Sequence, residues 1–310
     1  MKYILSITIS LICLQVHAQH HAPKHQHQQQ MMMIQHNIKG DTSHAEGWAK
    51  GILINVGISQ GSTSNWVAGG EKFSFSLSSY VNLHANLKDG RRKWFNSLDM
   101  YYGVFHTTSE GTRKNDDRFD LYSKYIWDFH ERFGVAAITR FRTGLFPGYD
   151  YGKSPKELLS GFLAPAYLTV APGIDVEPTD YFSIFFTPIA GRWVIIANHA
   201  EQLSEKYNLN PGETVRTDIG AYISANFSKE VAKKLFYNSR LDLYSNYLNN
   251  PQNIDINWTN MVGFKFNKLL TFTYGFDLIY DDDIRQFGPN GTSPGTQIKS
   301  TLNIGLTTKF

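Results

Sequence analysis

Residues 298–310 read IKSTLNIGLTTKF, and the large apolar members Ile298, Leu302, Ile304, Leu306 and Phe310 all fall on even positions. Lys299, Thr301, Asn303, Thr307 and Lys309 fill the odd ones. A two-residue period places alternate side chains on opposite faces of a strand, one greasy and one polar. The same pattern recurs upstream. In 254–266, Ile254, Ile256, Trp258, Val262, Phe264 and Phe266 alternate with Asp255, Asn257, Thr259 and Lys265. In 269–280, Phe272, Tyr274, Phe276, Leu278 and Tyr280 oppose Thr271, Thr273, Gly275 and Asp277. In 117–129, Phe119, Leu121, Tyr125, Trp127 and Phe129 oppose Asp120, Tyr122, Lys124 and Asp128. A Lys or Arg turned into lipid at mid-depth costs about 2–4 kcal/mol. The charged parity therefore faces a polar interior and the aromatic parity faces outward.

Twelve such segments are predicted, at about 50–60, 70–85, 93–106, 117–129, 132–143, 162–174, 181–190, 215–227, 234–247, 254–266, 269–280 and 296–310. An even count returns both termini to one side, as a closed membrane barrel requires, and the fold expected is an all-β, transmembrane, antiparallel up-and-down barrel of about 12 strands. The connections fit. Short links at 86–92, 130–131, 228–233 and 267–268 alternate with longer ones at 62–69, 107–116, 144–161 and 281–295. Short turns belong on the periplasmic side and long loops outside. Pro165, Pro172 and Pro188 lie in or beside the middle strands, where each removes a ladder hydrogen bond unless a bulge absorbs it. A miscount there would give ten strands or fourteen.

The first 18 residues read as an export signal: Lys2, an apolar core from Ile4 to Leu14, and Val16, His17, Ala18 before Gln19. Cys13 is the one cysteine of the chain and lies in that segment, with Ile12 where a lipobox wants a small residue, so neither lipidation nor a disulfide is expected. Residues 19–47 are His- and Gln-rich and aperiodic, which predicts a flexible periplasmic tail ahead of a 48–310 barrel. The 14% aromatic content suits interfacial girdles, and a net charge of only +3 supplies no field for nucleic acid. Between 191 and 214 the meander breaks. Trp193, His199 and Tyr207 mark either an ordinary loop or a lid that folds into the lumen, with a short helix over 199–207 ending near Asn208.

Two runs carry a resemblance. Gly57-Ile58-Ser59-Gln60 followed by Asn65-Trp66-Val67-Ala68-Gly69-Gly70, and Phe185-Phe186-Thr187-Pro188-Ile189-Ala190-Gly191, are similar to a Bacteroidota family of outer-membrane barrels of unknown function. The likeness continues through Leu203, Asn210, Pro211, Gly212, Glu213, Arg216, Gly220 and Ala221. It implies the barrel fold and outer-membrane location but no catalytic or binding residue. Terminal Phe310 also resembles the last residue of the strand signal read by barrel-assembly machinery.

The chemistry-bearing residues are sparse. His20, His21, His25, His27, His36 and His44 could hold a metal loosely, but no cysteine or carboxylate cluster completes a site, and no metal or cofactor is expected. Asp281, Asp282 and Asp283 read as a solvated face before a cation site. A lipid hydrolase would need a His with a nucleophile and an orienting partner. His106 beside Thr107, Thr108 and Ser109 is the nearest approach, and neither a G-x-S-x-G elbow nor an H-E-x-x-H helix occurs. The leading expectation is a non-catalytic barrel passing small polar solutes. Asp120, Lys124, Asp128, Asp242, Asp255, Lys265 and Asp277 would line its lumen, with Trp258, Phe264, Phe266, Phe272, Phe276 and Leu306 against lipid. The alternatives are an accessory subunit bound to an outer-membrane protein partner and, behind it, the hydrolase.

Overall fold

The computed structural model describes residues 46–62, 73–151, 155–266, 270–283 and 293–309. The signal segment, the His-rich tail up to residue 45, most of the first long loop and Phe310 lie outside the described residues. So does the side chain of Leu306, although its backbone is described. Alternating patterning yields fourteen strands: β1 (Gly47–Ser62), β2 (Phe73–Asp89), β3 (Arg92–Thr107), β4 (Gly111–His130), β5 (Phe133–Thr143), β6 (Gly148–Asp150), β7 (Glu157–Ser160), β8 (Ala166–Thr179), β9 (Phe182–Ile195), β10 (Val215–Ala232), β11 (Leu235–Asn246), β12 (Ile254–Lys265), β13 (Leu270–Tyr280) and β14 (Gln297–Lys309).

Twelve of them close a barrel in the order β1-β14-β13-β12-β11-β10-β9-β8-β5-β4-β3-β2, while β6 and β7 form a separate hairpin. All the ladders are antiparallel, and β1 meets β14 through pairs such as Val56↔Leu306, so the barrel sheet closes on itself. The expected fold holds in count and topology. Several expected bounds shift because strand pairing runs on past the apolar pattern. The 107–116 link shrinks to a tight turn, as β3 and β4 pair out to Thr107↔Gly111. The strands expected at 162–174 and 181–190 sit at Ala166–Thr179 and Phe182–Ile195. One end of the barrel carries short turns; the opposite end carries the longer connections and the β6–β7 hairpin.

The prolines sit where the ladder already breaks. Between β8 and β9 the register jumps from Val170↔Gly191 to Ile174↔Phe186, which brackets Pro172 and Pro188. Between β9 and β10 it jumps from Ala190↔Gly220 to Thr187↔Tyr222, so that Pro188 and Ile189 stand opposite the single residue Ala221. A bulge removes the need for the missing N–H. It also switches parity, so that Ser183, Phe185 and Thr187 are buried before it and Ala190 and Val194 after it, while Phe186 and Ile189 are exposed.

The outer wall is apolar around its circumference. Trp48, Ile52, Val56 and Ile58 of β1, Trp94 of β3, Leu121, Tyr125 and Trp127 of β4, Ile219 of β10 and Trp258 of β12 are all exposed. An apolar belt of this extent is far beyond the patches that water-soluble monomers expose. Buried side chains lie on the inner parity. A cluster of Ile126, Ala136, Ile138, Ala171, Phe185, Ala190, Tyr222 and Tyr244, with Phe95 and Tyr122 against it, draws on strands from β3 to β11.

Candidate functional site in the lumen and its cap

The inner parity is filled by paired charges, layer by layer. Near the turn end, Lys93 of β3 lies 2.7 Å from Asp128 and 3.2 Å from Glu177. The next layer pairs Lys124 of β4 with Asp175 of β8 at 2.5 Å, and the Lys124 ammonium also lies over the Phe185 ring. Tyr80 and Asn82 both donate to Asp99, at 2.5 and 2.8 Å, while Tyr80 stacks on Tyr101 and Arg118 covers Tyr101.

In the central layer, Asp120 accepts from both Nε and Nη2 of Arg140. Arg140 comes within 3.9 Å of Asp242 on β11. Asp242 accepts from the Tyr222 hydroxyl at 2.8 Å and from Arg240 Nε at 2.9 Å. The Arg240 guanidinium lies 5.5 Å from the centroid of Tyr122 on β4. From β4 to β11 is five steps along the wall, through β5, β8, β9 and β10, so this contact crosses the lumen. Buried charges persist in such a place only when paired and hydrogen-bonded, and these are.

The long-loop end is capped. Residues 196–214 leave β9 and form two short 3-10 turns, Asn198–Leu203 and Glu205–Tyr207, ended by Asn208 in the left-handed region at φ 56°. Their Ala200, Leu203, Tyr207 and Leu209 pack on Ala164, Val194 and Ile196, with Leu158 and Tyr167 at the margin. Burial holds the Tyr207 hydroxyl well above its ordinary range. Arg216 latches the cap. Its Nη1 donates to the Tyr207 carbonyl at 2.6 Å, and its Nη2 pairs with Asp218 at 3.0 Å and Asp283 at 2.9 Å. Arg192 pairs with Asp255 at 2.8 Å, Asp218 at 3.3 Å and Asp283 at 3.6 Å. Asn249 donates to Asp283, and Lys206 reaches Glu157 of β7. Four connections are thereby drawn together over the barrel mouth.

Of the residues singled out from sequence, Asp120, Lys124, Asp242, Asp255 and Asp277 occupy the inner parity, and all but the partly buried Asp255 are buried. Asp128 is partly exposed near the turn end, and Lys265 is exposed at the end of β12 with its ammonium over the Phe236 ring. Trp258, Phe264, Phe272 and Phe276 share the outer parity, and Phe266 follows the strand end and is exposed. The three lid residues separate. Tyr207 is in the cap, His199 is exposed on it, and Trp193 lies in β9 on the parity opposite buried Val194. The Asp281–Asp283 triplet is not the solvated face expected, because Asp282 and Asp283 are buried and Asp283 joins the arginine latch. His106 bonds Thr112 across the β3–β4 turn at 2.8 Å. Among the described residues no group of three His, Cys, Asp or Glu side chains is placed to hold a metal.

Sequence reading missed the arginines that complete the site: Arg140, Arg192, Arg216 and Arg240. The signal was available. Arg240 shares parity with Asp242, and Arg216 with Asp218, so each could have been read as the acid's partner on the same face.

A closed, antiparallel up-and-down barrel with an apolar outer wall and a charged interior is a transmembrane β-barrel. Residues 58–149 match a family model described as "Protein of unknown function (DUF3078)", a span that takes in the Ile58 to Gly70 run and stops before Phe185. No curated protein matches the chain in sequence. Among solved structures, the chain is similar to the translocator domain of the autotransporter NalP from Neisseria meningitidis, at 8% identity over 88% of this chain and 92% of that one, TM-score 0.43. It is also similar to the NanC porin, at 12% identity over 83% and 100%, TM-score 0.40. A third is outer membrane phospholipase A from Escherichia coli, at 9% identity over 83% and 89%, TM-score 0.36.

Proposed function

We propose that the chain is an integral barrel of the cell outer membrane, non-catalytic, closed at rest, and an accessory subunit of a larger outer-membrane complex. The observation that carries this reading is the central bridge. Arg140 on β5 approaches Asp242 on β11, and Arg240 beside Asp242 lies against Tyr122 on β4, so side chains cross the interior where a free diffusion pore would keep water between its walls. The apolar belt supports lipid as its surroundings. Export by residues 1–18, assembly through Phe310 and a source in the Bacteroidota belong to the same proposal. His106 engaged with Thr112 at a tight turn favours no hydrolytic role.

A second reading, gated passage of small polar solutes, is favoured by the latch itself. Arg216 on β10 ties the connection after β9 through the Tyr207 carbonyl and the connection after β13 through Asp283, contacts that can part without unpairing a strand. Extraction of the tagged protein from its native outer membrane in mild detergent tests the first reading. A stoichiometric protein partner supports the accessory role. A lone barrel or homo-oligomer overturns it and leaves gated passage. Recovery in the inner-membrane or soluble fraction would overturn both.

A further inference from the structure

We propose that Arg142 is the centre of an oxyanion-binding site at the long-loop end of the lumen, beside the cap, taking small solutes that carry a phosphate or carboxylate group. The inference starts from how the lumen arginines are matched. Arg140 holds Asp120, Arg240 holds Asp242, and Arg192 and Arg216 share Asp218, with Asp255 and Asp283 alongside. Arg142 has no such acid. Among the described residues no carboxylate lies within ion-pair distance of it, and its Nη1 is buried without a hydrogen-bond partner.

The acid opposite it on β4 is already occupied. Asp120 is the register partner of Arg142 across β4 and β5, yet both of its oxygens accept from Arg140. Arg118, Arg140 and Arg142 all act electrostatically on this one carboxylate. A guanidinium cannot relieve the mismatch by losing its proton. It needs an anion.

The site is also built to receive one. Arg142 stands next to the last residue of β5, at the long-loop end, and its side chain is partly exposed. Its guanidinium is held 5.1 Å from the centroid of the Tyr167 ring, and Tyr167 packs against the apolar underside of the cap. A planar fork fixed on an aromatic ring gives up little freedom when an oxyanion docks on it. The site stands whether or not the lumen conducts.

The test is thermal unfolding of the full chain in a phospholipid-free detergent, with inorganic phosphate exchanged for chloride at constant ionic strength. Wild type should show a saturable rise in the melting midpoint. Arg142→Lys should bind on the order of 10-fold more weakly, the loss expected when a charge-assisted fork is reduced to a point charge. Arg142→Met should show no phosphate response, and without phosphate it should melt no lower than wild type, since it removes a cation that no acid pairs and keeps an apolar chain against Tyr167. The proposal is overturned by an unsaturable or absent response in wild type, or by an equal response in Arg142→Met. It is also overturned if Arg142→Met melts well below wild type in chloride, which would make the arginine a structural strut. A response to anionic phospholipid micelles with none to phosphate would place the ligand in the membrane surface and overturn it equally.

Discussion

Asp242 shows how one lumen side chain is held in place. Tyr222, Arg240 and Arg140 converge on it from three strands, and it sits on the inner parity among apolar neighbours. Removing one member of a buried, hydrogen-bonded charge set leaves the others uncompensated, at a cost of about 3–5 kcal/mol. Asp242→Ala should therefore unfold much more readily, and Arg240→Met with Asp242→Leu together should recover most of the loss. The midpoint of the heat-induced electrophoretic shift of the folded barrel measures both. At this scale the acids were legible in the sequence because an Asp in an alternating strand stands out against apolar neighbours. Their arginine partners come from strands distant in sequence, and a two-residue period says nothing about which strands face each other across a lumen.

At the scale of the element, glycine positions separate close backbone approach from open space. A Cβ on Gly220 would run into the Ser245 carbonyl of β11, beside the β9–β10 bulge, whereas one on Gly263 would meet nothing within 4 Å. Gly220→Val should lower stability by about 1–3 kcal/mol through overpacking. Gly263→Ala should stay within about 0.5 kcal/mol. The same heat-shift assay reads both. The cap depends on Arg216 in a similar way. Arg216→Ala removes the Tyr207 carbonyl contact and the pair with Asp283, so limited proteolysis should cut within 196–214 faster than in wild type while the barrel strands stay resistant. The period of the sequence located this insert as a break but could not place Trp193. The Pro188 bulge flips parity just upstream of it, and a flip of that kind leaves no mark on the alternation itself.

For the whole molecule, alternation, turn lengths and an even strand count were enough to read the closed barrel. Each strand satisfies its backbone only with its neighbours, and closure is the one arrangement that leaves no edge. Whether the interior is open was not legible, since a polar inner face is equally consistent with water and with ion pairs. The structure sets ion pairs across it. Arg140, Asp242, Arg240 and Tyr122 span the middle, and the Arg192–Arg216 latch draws the long connections over the mouth. Single-channel recording of the purified full chain in a planar lipid bilayer tests the closed lumen most directly. A bridged and capped barrel should insert yet give no steady conductance at low voltage, with current steps emerging when Arg216→Ala and Asp242→Ala are combined. A stable open level of wild type, present from insertion and unchanged by those substitutions, would contradict the closed lumen and return the protein to the class of free diffusion pores.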